Sequence, residues 1–265
     1  MSPVVLAVPH AGRDYPLAMR AALRVPPDRL TILEDRHVDA VALAARGCEW
    51  TIVARRARAW IDLNRGEVER DPLLDAGAVP GRAPEFSAKV ASGLGLVPRR
   101  TQPTGDIWKR RLDADEVDHR IRADHRPYHL ALGHALARAR ERFGIAVLLD
   151  LHSMPPLGRH AAQIVIGDRF GRSAGARFAS RIDAVARAGG LEVAINSPYP
   201  GGHTLDRHGA PEDGIHALQL EIDRECYLDA KLDAPGPGLA ATARLVRAII
   251  AALADEAIPA ALAAE

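Results

Sequence analysis

The sequence predicts an α/β fold built on a mainly parallel sheet, and three observations predict it. Short apolar runs bounded by Gly and Pro alternate with stretches of helical spacing. One run, Ile145-Ala146-Val147-Leu148-Leu149-Asp150-Leu151, is almost continuously apolar, as a strand buried on both faces should be. Polar residues recur where such runs end, at the carboxyl edge where open α/β sheets bind ligands.

Residues 4–8 are a short apolar run emptying into Pro9-His10-Ala11-Gly12, which reads as a strand followed by a loop. Residues 30–45 have helical spacing, with Glu34, Asp35, His37 and Asp39 interleaved. Residues 50–53 and 59–63 read as two strands separated by Arg55-Arg56-Ala57-Arg58. Residues 66–107, rich in Gly and Pro, read as an irregular excursion. Residues 113–142 form the clearest helical stretch, kinked or divided at Pro127 because proline has no N–H to give the helix. After Gly144 comes the central strand. Strands at 163–166, 191–196 and 217–222, a loop at 198–202, and helices at 173–188 and 238–253 complete the alternation. With no repeat or linker, residues 1–265 are expected to form a single domain.

Of 265 residues, 48% are hydrophobic but only 4% aromatic, so the core must be mainly Ala, Leu, Val and Ile. Lys+Arg 35 against Asp+Glu 34 leaves almost no net field, which argues against a nucleic-acid partner. Cys48 and Cys226 do not make a disulfide framework. No run approaches the ~20 apolar residues of a membrane span, and no signal peptide is evident. The expectation is a cytoplasmic protein with no membrane partner.

The chemistry-bearing residues cluster at strand ends. His10 and His152 each follow a short rigid lead, and Asp35 would complete a two-histidine, one-carboxylate set of the kind that leaves a zinc position open to water. A lone strand-end histidine is more often structural, and there is no H-E-x-x-H pair, so the residues alone leave both readings open. Glu221 alternates with Gln219 and Asp223, either as a general base facing the cleft or as a carboxylate paired with Arg224. Arg13, Arg58, Arg65 and Arg224 are candidates for anionic parts of a substrate, since a guanidinium grips a carboxylate with two donors. Asn64-Arg65 stands out because it follows a predicted strand, and Arg58 could stabilise an oxyanion. His203 lies on the Gly201-Gly202 loop, where glycine permits close approach to a ligand. A phosphate loop is excluded by the missing G-K-[ST], and a serine hydrolase built on Ser153 is disfavoured by the missing G-x-S-x-G elbow. His125, Tyr128 and His129 read as the packed face of an amphipathic helix.

Six segments together resemble the N-formylglutamate amidohydrolase (deformylase) family along nearly the whole chain. They are Val8-Pro9-His10-Ala11-Gly12-Arg13, Glu34-Asp35-Arg36-His37-Val38-Asp39, Ile61-Asp62-Leu63-Asn64-Arg65, Leu149-Asp150-Leu151-His152-Ser153-Met154-Pro155, Asn196-Ser197-Pro198-Tyr199-Pro200-Gly201-Gly202 and Leu218-Gln219-Leu220-Glu221-Ile222. That family is similar to zinc carboxypeptidases and aspartoacylases. The resemblance implies a three-layer α/β/α sandwich with a mixed, mostly parallel sheet, and one zinc ion activating water. It makes His10 and His152 metal ligands, Glu221 the general base, and Asn64 and Arg65 binders of a substrate carboxylate. Where carboxypeptidases place a second ligand, three residues after the first histidine, this chain has Arg13. The carboxylate must then come from Glu34 or Asp35, and Asp35 matches the family's aspartate; Arg13 is left to meet substrate, beside Arg224 and His203.

The implied reaction is hydrolysis of N-formyl-L-glutamate, or a similar small acidic N-acyl amino acid, and the implied setting is histidine degradation. The rival readings are a related N-acyl amino acid hydrolase or small peptidase, and a non-catalytic binder of acidic metabolites.

Overall fold

The structure, a computed structural model, describes residues 1–79 and 88–258. In chain order its elements are β1 (Val4–Val8), α1 (Leu17–Ala22), α2 (Val38–Ala45), β2 (Trp50–Val53), α3 (Ala88–Ala91), β3 (Arg100–Thr101), β4 (Gly105–Asp106) and α4 (Ala114–Arg120). They continue with α5 (Arg126–Phe143), β5 (Ala146–Met154), β6 (Ile164–Gly167), α6 (Ala176–Ala188), β7 (Val193–Ile195), α7 (His203–His208), β8 (Ile215–Asp223) and α8 (Leu239–Ala257). The chain forms two compact units. The first takes residues 1–8, 35–53 and everything from 131 onward; the second takes 9–34 and 54–130.

In the first unit, six strands lie in the order β2-β1-β5-β8-β6-β7. All neighbours are parallel except β6 and β8, which are antiparallel, so the sheet is mixed and mostly parallel as expected. The central strands explain themselves: every residue of β1 and β5 is buried, and an apolar run buried on both faces has no other stable place. Helices cover both sides of the sheet. α8 packs between α2 and α6, and its buried Val246, Ile249, Ile250 and Leu253 recur at the three- and four-residue steps of one helical face.

The second unit is irregular, with short helices and the two-stranded antiparallel β3–β4 ribbon. Ion pairs among half-buried and buried groups brace it. Arg70 Nε meets Asp75 at 2.5 Å, and Arg99 Nε meets Asp71 at 2.7 Å. The buried Arg120 guanidinium lies 3.9 Å from the centre of the Trp60 ring and 5.0 Å from that of Trp108. Burial lowers its pKa to about 10, so it remains a cation at neutral pH.

Four sequence expectations need correction or trimming. Residues 30–45 are not one helix: a 3₁₀ segment, Pro27–Leu33, ends at an extended Glu34, and left-handed His37 (φ 55) precedes α2. That break places Asp35 on a bend. Residues 59–63 are not a strand, because the carbonyls of Trp60 and Leu63 are taken by side chains rather than by a neighbouring strand. His203 opens α7 instead of lying on the loop. Of the excursion at 66–107, residues 80–87 lie outside the described residues, and the rest carries only α3, the β3–β4 ribbon and turns. The stretch at 113–142 divides as expected: α4 and α5 are joined by a π-helical turn, Ile121–His125, just before Pro127.

Candidate metal centre

In the first unit, parallel pairing sets Asp150 beside Gln219 and His152 beside Glu221. Residues two apart on a strand share a face, so these four polar side chains sit together on one face of a largely apolar strand pair. All four are buried. Burial of such groups is costly unless each is paired, and here they pair with one another. His152 donates from Nε2 to Asp150 Oδ2 at 2.9 Å and from Nδ1 to Asp35 Oδ2 at 3.0 Å. Gln219 donates from Nε2 to Glu221 Oε1 at 2.8 Å. Burial alone would lower the His152 pKa, but Asp150, Asp35 and Glu221 outweigh it and hold the imidazole well above its ordinary value. Arg224 Nη2 lies 3.7 Å from Asp35 Oδ1, and its Nε donates to Ser153 Oγ at 3.2 Å. Ser153 points to the strand face opposite His152, which is no arrangement for a serine nucleophile and its base.

In the second unit, the centre is Asp62, fully buried. His10 Nε2 donates to its Oδ1 at 2.7 Å, Arg58 Nε to its Oδ2 at 2.8 Å, and the Asn64 backbone N–H to Oδ1 at 2.9 Å. Burial pushes the Asp62 carboxyl up, but Arg58, His10 and Arg65 together hold it well below the usual carboxylate range. Gly12 is required where the chain passes the Arg55-Arg56 backbone, because a Cβ there would stand 2.0 Å from the Arg56 carbonyl oxygen. Arg65 is itself anchored, with Nε on the Leu94 carbonyl at 3.0 Å and Nη1 on the Asn64 carbonyl at 2.7 Å.

Removing the Asp62 carboxylate leaves a buried imidazole and a partly buried guanidinium without their counter-charge. Asp62→Ala is expected to cost about 3–5 kcal/mol of unfolding free energy in urea melts at pH 7. A depressed folded pKa contributes stability that is present above the unfolded value, about 3.9, and is lost as pH falls through the folded value. The gap between wild type and variant should therefore shrink below about pH 4. A constant gap from pH 7 to pH 3 would show that the carboxylate's charge is not what matters.

The predicted site residues thus fall into two sets. Asp35, His152, Glu221 and Arg224 come together in the first unit; His10, Arg58, Asn64 and Arg65 surround Asp62 in the second. Asp35 rather than Glu34 faces His152, while Glu34 accepts a hydrogen bond from the Tyr15 hydroxyl. Arg13 is exposed, and His203 is half-buried at the start of α7. Sequence reasoning left Asp150 and Asp62 without a role. The signal for Asp150 was its two-residue spacing from His152, which puts both on one strand face.

Asp35 and His152 are buried in the first unit and His10 is buried in the second, and each can offer one ligand atom to a metal ion. The donor chemistry fits a divalent cation. Each imidazole gives Nε2 to a buried carboxylate, the arrangement that fixes a ligating histidine's tautomer and turns Nδ1 to the metal. His152 Nδ1 and Asp35 Oδ2 face each other 3.0 Å apart, a nitrogen and a carboxylate oxygen that are both ordinary ligands of a divalent cation.

A profile of the N-formylglutamate amidohydrolase family matches residues 2–228. An N-formylglutamate deformylase of Pseudomonas putida is 32% identical over 234 residues, 86% of this chain and 82% of its own length. One from Pseudomonas aeruginosa is 28% identical over 260 residues, 94% of this chain and 90% of its own. The crystal structure of N-formylglutamate amidohydrolase from Ralstonia eutropha JMP134 superposes with a TM-score of 0.87 at 32% identity, covering 97% of this chain and 94% of that one. A gene product of Agrobacterium tumefaciens, at 23% identity and a TM-score of 0.69, shares the fold. Six ordered sequence segments, the mixed sheet and these relatives agree: the chain belongs to the N-formylglutamate amidohydrolase family.

Proposed function

We propose that this protein hydrolyses N-formyl-L-glutamate to formate and L-glutamate, with one zinc ion held by His10, Asp35 and His152 and Glu221 as general base. The observation that carries the reading is the register of β5 and β8, which sets Glu221 beside His152 while His152 faces Asp35. Chain connection supports His10 as the third ligand. Ala7 of β1 is the register partner of Asp150, and His10 follows three residues later.

When bound, zinc lowers the pKa of a coordinated water to about 7 and polarises a carbonyl. The chain's own residues do the rest. Glu221, held by Gln219, takes the proton from the attacking water and passes it to the leaving nitrogen. Asp150 and Asp62 fix the orientation of the two imidazoles. Arg58, its Nε anchored on Asp62, steadies the developing oxyanion. Asn64 and Arg65 take a substrate carboxylate, with Arg13, Arg224 and His203 as further substrate contacts. Under this reading the enzyme acts in the cytoplasm, in histidine degradation.

Formate release from N-formyl-L-glutamate, measured beside N-acetyl-L-glutamate and N-formyl-L-leucine, tests the reaction. Preference for the formylated acidic substrate is expected. Faster turnover of the acetylated compound would redirect the assignment to another N-acyl amino acid hydrolase, and binding without turnover would mark a non-catalytic binder.

A further inference from the structure

The π-helical turn before Pro127 has a geometric consequence in the second unit. Residues 120 and 129 are nine apart, about two and a half turns of a regular α-helix, and would face opposite sides. The i→i+5 turn, closed by Arg126 N–H on the Ile121 carbonyl, absorbs one residue and brings 120, 125 and 129 to one side. Pro127 favours that turn, since it has no N–H to give and its ring would crowd the carbonyl of residue 123 in α register.

On that side lies the segment from Trp60 to Arg65. Arg120 Nη1 donates to the Trp60 carbonyl at 3.0 Å, His129 Nε2 to the Leu63 carbonyl at 2.9 Å, and His125 Nε2 to the Arg65 carbonyl at 2.8 Å. A carbonyl only accepts, so both imidazoles carry their proton on Nε2. His125 and His129 are almost completely buried, with ring centres 4.5 Å apart. Asn64 is therefore clamped on both sides: its preceding carbonyl is held by His129, and the carbonyl of the following Arg65 by His125.

We propose that His125 and His129 are positioning residues for substrate affinity, fixing the backbone that presents Asn64 and Arg65. The inference rests on the reading that those two residues bind a substrate carboxylate. Neither imidazole touches the substrate; each acts through one backbone carbonyl. Loss of a clamp should raise KM for the anionic substrate and leave the chemical step almost unchanged. A merely structural histidine would instead lower the melting temperature and the active fraction.

The test uses metal-loaded full-length protein with N-formyl-L-glutamate. His129→Leu should raise KM roughly tenfold, the scale of one lost buried hydrogen bond, with kcat within about threefold of wild type. His129→Gln, whose amide N–H can reach the carbonyl, should restore KM to within about threefold. If His129→Leu does not fold, His129→Asn takes its place, polar but too short to reach, with the same KM rise expected. Arg65→Lys is the control for the underlying reading and should also raise KM. If Arg65→Lys raises KM while the His129 variants do not, the clamp is wrong and the carboxylate site stands. If Arg65→Lys leaves KM unchanged, both fall together.

Discussion

Glu221→Gln is expected to lower kcat for formate release by about 10³-fold, within the range that a positioned general base contributes. The substitution keeps the shape and leaves an amide that cannot accept the proton from water at neutral pH. Gln219 donates to Glu221 Oε1, and a glutamine carbonyl can still accept that bond, so the strand pairing of β5 and β8 has no reason to change. KM should move little and metal content not at all. A variant that retains a tenth or more of wild-type kcat would assign the proton transfer to another group.

His152→Ala is expected to abolish both metal retention and activity. It removes one of the three proposed ligands and leaves Asp35 and Asp150 as buried carboxylates that were paired through the imidazole. Asp150 is completely buried, so ionisation there without a partner is costly. The variant should also lose stability, by a few kcal/mol on the scale of a broken buried pair. Activity and metal must fall together, unlike in Glu221→Gln, and equilibrium dialysis against zinc with a parallel assay separates the two cases. Full zinc binding by His152→Ala would remove His152 from the ligand set.

The parallel core was legible in the sequence because β1 is apolar throughout and β5 opens on a continuous apolar run. The runs at 4–8 and 145–151 mark β1 and β5, whose positions follow from burial on both faces. The pairing of Asp35 with His152 was not readable from spacing, since it depends on the extended Glu34 and left-handed His37 that interrupt an apparently helical pattern. The segment 59–63 looked like a strand because Trp60, Ile61 and Leu63 are apolar. Its carbonyls bond to Arg120 and His129, contacts some sixty residues away in sequence that no local pattern encodes. His125 and His129 read as helix packing for the same reason, since their partners, the Arg65 and Leu63 carbonyls, are equally remote in sequence. Only the π turn, signalled faintly by Pro127, brings them to the same side as Arg120.

The most direct test of the account is elemental analysis of purified wild-type protein paired with the formate-release assay. About one zinc per chain, with activity lost to a chelator and restored by added zinc, is the predicted result. Full hydrolysis of N-formyl-L-glutamate by protein that contains no metal would contradict the proposed roles of His10, Asp35 and His152.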